Sequence, residues 1–160
     1  MRIEVAAGVE VERPADEVFA FAVAPESFPR FVHALGPIPA IARIEVLDGR
    51  PNEPGARRRV TMSDGSEVLE EVLALDPPRR HAYRWISRPV APLHLLVRGA
   101  EGEWRFAPTE RGTHVNWTYT FDLTTPLVWP LAFATLQIFR LWMQRALDRL
   151  PAEVGAAVKR

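Results

Sequence analysis

The chain contains no cysteine, which excludes disulfides, thiol nucleophiles and cysteine-bound metal. It also has no net charge. Twenty basic residues balance twenty acidic ones, so bulk electrostatics draw no nucleic acid to it. Of the twenty basic residues one, Lys159, is lysine and nineteen are arginine, a bias read first as coding preference. No glycine-rich phosphate loop, nucleophile elbow or metal-ligand spacing is present. That weighs against nucleotide enzymes and hydrolases and leaves no cofactor or metal to expect. The most apolar stretch, 126–139, includes Pro130 and Gln137 and stops at Arg140, too short for the roughly twenty residues a membrane-spanning helix needs. The N-terminus opens on alternation rather than an apolar leader, so the expected location is cytoplasmic.

What is present fits one α+β domain over residues 1–160, with 48% apolar and 25% charged residues. Ile3, Val5, Ala7, Val9 and Val11 alternate with polar residues and predict a half-buried strand. Pro14 stops it and opens a short helix carrying Val18 and Phe19, followed by a second short helix to about Val32. Further strands are predicted at 41–47, 57–62, 67–75, 81–87, 93–106 and 113–121, separated by proline- and glycine-marked turns. Thr125 and Pro126 then start a long helix, whose apolar stripe runs Leu136, Phe139, Met143, Leu147, Leu150 and Val154. Pro151 is expected to bend its last turn or to end it. The predicted architecture is a curved seven-stranded antiparallel sheet wrapped around that C-terminal helix, with the two short helices between strands one and two.

A curved sheet and one straight helix cannot touch everywhere, so large side chains or a guest must fill the gap. The inward positions predicted for the late strands are aromatic: Tyr83, Trp85, Trp104, Phe106, Trp117, Tyr119 and Phe121. Such a face suits a ring-bearing or apolar guest with a few oxygens. Arg59, Glu71 and Arg98 are the candidates for polar groups on it, in a region where a one-residue slip reverses every side chain. His81 and Tyr83, which share parity, are the catalytic candidates among the titratable side chains of this face. His114 alternates outward, while His33 and His94 lie near the openings.

Several short patterns occur in a telling order. They are Val9-x-Val11-x-x-Pro14 leading to Val18-Phe19-x-Phe21, then Asp76-Pro77-Pro78-Arg79-Arg80-x-x-Tyr83, then Trp104-x-Phe106, Gly112-Thr113-x-Val115 and Leu147-x-x-Leu150. In this order they resemble the START-like, or Bet v 1-like (SRPBCC), superfamily with its helix-grip fold, and within it polyketide cyclase/dehydrase-like and coenzyme Q-binding-like proteins. The resemblance implies a hydrophobic cavity between sheet and helix, used by different members for lipids, sterols, quinones, plant hormones or polyketides. It supplies no universal catalytic residue. Carried onto this chain it implies ligand contacts from Tyr83, Trp85, Trp104, Trp117 and Tyr119 of the sheet and from Phe139 and Met143 of the helix. Phe31 stands where many relatives place a tryptophan.

The start of the closing helix is apolar on more than one face: Leu127, Val128, Trp129, Leu131, Ala132 and Phe133. Burial under the loop from Pro89 to Leu95, a homodimer contact and a transient membrane contact through Leu127, Trp129, Leu131 and Phe133 all account for it. Three functions follow for the chain as a whole. It is a binding module for a hydrophobic small molecule, a cyclase/dehydratase-type enzyme in which His81, Tyr83 or an inward arginine moves a proton or polarises an oxygen, or a protein-interaction module.

Overall fold

Period-two alternation builds the sheet, and its clearest case is Thr113–Leu123, where every second side chain is buried. In the computed structural model, which describes residues 1–159, the strands are β1 (Arg2–Val11), β2 (Ile41–Asp48), β3 (Arg57–Met62), β4 (Glu67–Asp76), β5 (Arg80–Trp85), β6 (Val97–Pro108) and β7 (Thr113–Leu123). All pairings are antiparallel, and the order across the sheet is β1-β7-β6-β5-β4-β3-β2. Strands β1 and β2 therefore lie at opposite edges. The chain crosses between them through α1 (Ala15–Ala22), a 3₁₀ turn at Pro25–Ser27 and α2 (Phe28–Phe31). This is the helix-grip arrangement, closed by α3 (Trp129–Val158).

Two strands are shorter than their apolar runs predict. Strand β6 begins at Val97 rather than Leu93, because Pro89 and Pro92 cannot donate to a ladder and Leu93–Leu95 coils into a 3₁₀ turn. Pairing starts at Val97 opposite Leu123 and skips Arg98 in a bulge before Gly99 meets Asp122. Strand β5 stops at Trp85, where the Ser87 hydroxyl accepts the Leu69 N–H at 3.0 Å. Gly102 is an ordinary ladder position. It sits between Tyr83 and Tyr119 in the pairing, and a Cβ there would lie 2.6 Å from the Tyr83 Oη. Glycine leaves the space over β6 that the tyrosine ring occupies.

The closing helix starts as the sequence predicts, with the Thr125 hydroxyl accepting the Leu127 N–H at 3.4 Å, although the first turn at Pro126–Val128 is 3₁₀. It does not end at Pro151 but runs on to Val158. The ring forfeits one backbone hydrogen bond, while the buried Leu150 and Val154 hold the turns on either side. Met143, Ala146, Leu147, Leu150 and Val154 are all buried, each large apolar side chain contributing about 1.5–3 kcal/mol. At the other end of the short helices, Arg149 Nη1 donates to the Phe31 carbonyl at 3.3 Å.

Helix α3 is fastened to the free edge of β1. The Gln144 amide accepts the Gly8 N–H at 3.2 Å and donates to the Gly8 carbonyl at 2.9 Å, so a side chain completes the ladder where no strand follows. Arg140 Nε donates to the Ala6 carbonyl at 3.1 Å, two residues along the same edge. Replacing Gln144 by Leu removes both bonds to Gly8 while keeping the apolar volume. The expected loss is about 1–2 kcal/mol in chemical denaturation. An unchanged denaturation midpoint would show that the edge is held by packing alone.

Candidate ligand cavity

Because α3 is held against β1, its first half stands away from the strands at the far side of the sheet. Between them lies a cavity of about 520 Å³. Leu136, Phe139 and Trp142 wall it from the helix, and Val60, Tyr83, Trp85, Trp117 and Tyr119 from the sheet. Two loops form the rim, one with Pro37, Ile38 and Pro39, the other running from Val90 to Leu96. Trp142 couples a loop to the helix, since its indole N–H donates to the Pro39 carbonyl at 3.2 Å. Aromatic rings pack against one another along the wall, Phe139 edge to face on Tyr119 and Phe121 and Trp85 tilted against Tyr119. Phe139 lies 5.1 Å from both Tyr119 and Phe121, and Trp85 lies 5.9 Å from Tyr119.

One side of this apolar space is polar. Arg58 on β3 and Glu70 on β4 are directly paired in register and form a buried ion pair, Nε to Oε1 at 2.8 Å. Arg58 Nη1 also donates to Asn52 Oδ1 at 3.3 Å, and Asn52 is itself anchored by donating to the Val23 carbonyl at 2.8 Å. The guanidinium lies over the Tyr83 ring, 4.7 Å from its centroid. Beside it runs a hydrogen-bonded chain: the Trp117 indole N–H donates to Tyr83 Oη at 3.1 Å, and the Tyr83 hydroxyl donates to Tyr119 Oη at 2.8 Å.

Burial sets the protonation of these groups. It raises the Glu70 carboxyl above the ordinary range, and the charge and hydrogen bond of Arg58 pull it back in part. Burial likewise pushes both phenols well up: Glu70 adds to the effect at Tyr83, and Tyr83 and then Glu70 add to it at Tyr119. Both tyrosines therefore stay protonated. A guanidinium keeps its proton at any working pH, and the Glu70 carboxyl lies 2.8 Å from it, where it balances that charge.

The structure sorts the sequence candidates. Tyr83, Trp85, Trp117, Tyr119 and Phe139 line the cavity. Trp104 and Met143 do not. Both are fully buried, and Trp104 is stacked behind Trp117 with ring centroids 4.5 Å apart. Phe31 is also core, 6.3 Å from the Trp104 ring. The expectation of inward Arg59, Glu71 and Arg98 is corrected. Arg59 faces outward between Glu45 and Glu67, Glu71 pairs with Arg84, and Arg98 is the exposed bulge residue. The inward pair lies one residue earlier on each strand. The signal for it was parity: Arg58 alternates with Val60, and Glu70 with Val68 and Val72, all facing the apolar side. Trp142 was also missed, although it stands three residues from Phe139 on the helix. Burial of the helix start under the loop from Pro89 to Leu95 is corrected too, because Leu127 is 89% exposed and Leu131 63%.

His81 lies outside the cavity wall. Its ring is fully buried, 5.8 Å from the Tyr83 ring, and neither ring nitrogen has a hydrogen-bond partner. Burial first, and Arg58 second, lower its pKa to about 3. A base that no guest can reach is no pocket base. Among the described residues no group of three His, Asp or Glu is placed to hold a metal ion, and no helix is long and apolar enough to cross a membrane.

A long helix gripped by a curved antiparallel sheet over an internal apolar cavity defines the helix-grip class of fold. This chain belongs to the polyketide cyclase/dehydrase and lipid transport family, whose sequence model matches residues 2–155. No curated protein matches it in sequence. Among solved structures, Ara h 8.0201 is similar over 98% of this chain and 99% of its own, with 18% identity and a TM-score of 0.74. The protein TTHA0849 from Thermus thermophilus is similar over 97% and 99%, with 24% identity and a TM-score of 0.70. The di-domain ARO/CYC StfQ from the steffimycin biosynthetic pathway covers 100% of this chain with 53% of its own length, at 17% identity and a TM-score of 0.73. At these identities the likeness establishes a shared fold.

The buried, unpartnered His81 has a consequence for stability. Its folded pKa is lowered from 6.5 to about 3, so the unfolded chain takes up a proton that the native state refuses. Its contribution is complete above pH 6.5 and falls as pH drops toward about 3, by roughly 1.4 kcal/mol per pH unit within that window. Replacing His81 by Leu removes two unpaired polar atoms and is expected to be neutral or stabilising at neutral pH. It should also flatten the acid side of the stability profile. Equal acid sensitivity of the two proteins in melting experiments would sink this account.

Proposed function

We propose that the protein binds a hydrophobic small molecule, of lipid, quinone or aromatic polyketide type, in the cavity between the sheet and α3. The cavity itself carries this reading. Its volume of about 520 Å³ falls within the roughly 300–1,000 Å³ of small-molecule sites, and aromatic walls with a few convergent polar atoms are the pattern of such sites. The family's description, which joins polyketide cyclases and dehydrases with lipid transport, supports the same class of guest.

Binding is preferred to cyclase or dehydratase chemistry because the wall offers no ready proton. Tyr83 and Tyr119 are phenols held far above neutrality, Glu70 is engaged by Arg58, and His81 is out of reach. Native mass spectrometry of freshly purified protein should show a co-purified guest. The neutral dye N-phenyl-1-naphthylamine should bind saturably and be displaced by the guest. Thr135→Trp, which fills the space from the helix side, should weaken dye binding by about tenfold or more. No saturable binding of the dye or of a lipid, quinone and polyketide panel would remove the proposal.

At the mouth, Leu127, Trp129, Leu131 and Phe133 form an exposed apolar patch, and Trp129 stacks on Phe133 at 5.1 Å. Leu131 and Leu95, each 63% exposed, also line the cavity, so the patch is continuous with the opening. We read it as a transient contact with a lipid surface from which a guest is loaded. Charge supports a lipid partner: no acidic residue lies between Pro77 and Ala100 or between Leu123 and Leu147, while Arg88, Arg98 and Arg140 fall within those segments. The protein should float with vesicles containing phosphatidylglycerol and less with pure phosphatidylcholine, and Leu127→Glu with Leu131→Glu should abolish flotation. Self-association that the same changes abolish, without vesicle binding, would assign the patch to a homodimer instead.

A further inference from the structure

The cavity reading leaves open which polar head its guest carries, and the buried ion pair bears on that choice. Three charged residues line the cavity: Arg58, Glu70 and, at its exposed rim, Asp64. Arg58 is the only cation among them. Left alone, a guanidinium 3% exposed beside an apolar space would be a receptor for a carboxylate, through two parallel N–H donors. It is not left alone. Nε is held by Glu70 at 2.8 Å and Nη1 by Asn52 at 3.3 Å, so two of the three guanidinium nitrogens are engaged by protein oxygens and the charge is already balanced by Glu70.

A second observation points the same way. The tyrosine chain runs one way: the Trp117 indole, which only donates, gives to Tyr83, and the Tyr83 hydroxyl gives to Tyr119. The Tyr119 hydroxyl hydrogen then has no acceptor among the described protein groups, and Tyr119 lines the cavity. The wall thus offers a guest an uncharged donor at Tyr119. An uncharged acceptor oxygen satisfies it without disturbing the ion pair. A carboxylate would have to lose its water in a space whose lining already carries two negative charges against one positive.

We propose that Glu70 is a selectivity residue: by neutralising Arg58 inside the cavity it makes the site accept a guest with an uncharged oxygen head, such as a ketone, ester or alcohol, and reject a carboxylate of the same shape. The inference rests on the ligand-binding reading of the cavity and adds the charge of the guest to it. Glu70 acts through Arg58, so its replacement should alter the ranking of guests by charge.

The experiment compares dodecanoate with 2-tridecanone as competitors of N-phenyl-1-naphthylamine, in the wild type and in Glu70→Gln, at neutral pH. The wild type should favour the ketone by about tenfold or more. Glu70→Gln should shift the ratio of dodecanoate to ketone affinity at least about tenfold toward dodecanoate. If Glu70→Gln does not fold, the wild type carries the same test with decanesulfonate, whose charge does not change on mild acidification. Among the groups facing Glu70, Arg58 and the two tyrosines keep their protons, His81 stays neutral until about pH 3, and Asp64 at the rim is lowered by the Ser66 hydroxyl and N–H. Sulfonate binding should therefore rise as Glu70, with its raised pKa, takes up a proton. Equal wild-type affinity for ketone and carboxylate, an unchanged ratio in Glu70→Gln, or a flat sulfonate profile overturns the selectivity and leaves ligand binding standing. Failure of the dye and of all competitors to bind overturns both.

Discussion

The clamp between Gln144 and Gly8 sets where the rest of the molecule has room. A helix of thirty residues lies against one edge of a curved seven-stranded sheet, and the clamp fixes which edge. Near that edge the side chains interlock, and Met143, Leu147 and Leu150 are wholly buried. Away from it the sheet curves off while the helix continues straight. The volume between them cannot be closed by backbone, because both surfaces are rigid on the scale of a side chain. The aromatic rings narrow that volume without filling it.

Most groups of the cavity's polar wall satisfy one another before any guest arrives, the Tyr119 hydroxyl hydrogen excepted. Arg58 has Glu70 and Asn52, Tyr83 has Trp117 and Tyr119, and Gly102 leaves room for the Tyr83 ring to reach its partner. A buried charge without such a partner is strongly destabilising, whereas a paired one gives little net stability. The pair is thus better understood through what it does to the field inside the cavity than through what it adds to folding. Behind that wall, His81 and the Trp104 indole carry buried polar atoms that find no partner. Their position behind the wall makes them a stability cost rather than part of the binding surface.

Most of the architecture could be read from residue spacing. Thr113 to Leu123 alternates without a break, Thr125-Pro126 marks the helix start, and Leu136 to Val154 marks its buried stripe. The misreadings have local physical causes. Consecutive arginines at 57–59 and glutamates at 70–71 carry no apolar contrast of their own, so the inward member is decided by the valines two positions away. Trp104 and Met143 have the right parity and depth to face inward, yet facing inward does not distinguish a cavity wall from packed core. That difference depends on how far the opposite surface stands off, a distance set by residues remote in the chain.

Sequence by itself therefore determined the elements, their order and the faces they bury, because local hydrogen bonding, caps and apolar periodicity act within a few residues. Tertiary structure alone decided three matters: that Pro151 lies within a continuing helix, that Arg58 meets Glu70 inside while Arg59 and Glu71 turn outward, and that the helix start stays exposed at a cavity mouth. Each depends on groups brought together from separate strands and loops. Their energies come from burial and from the partner a buried charge is given, and neither exists until the chain has closed on itself.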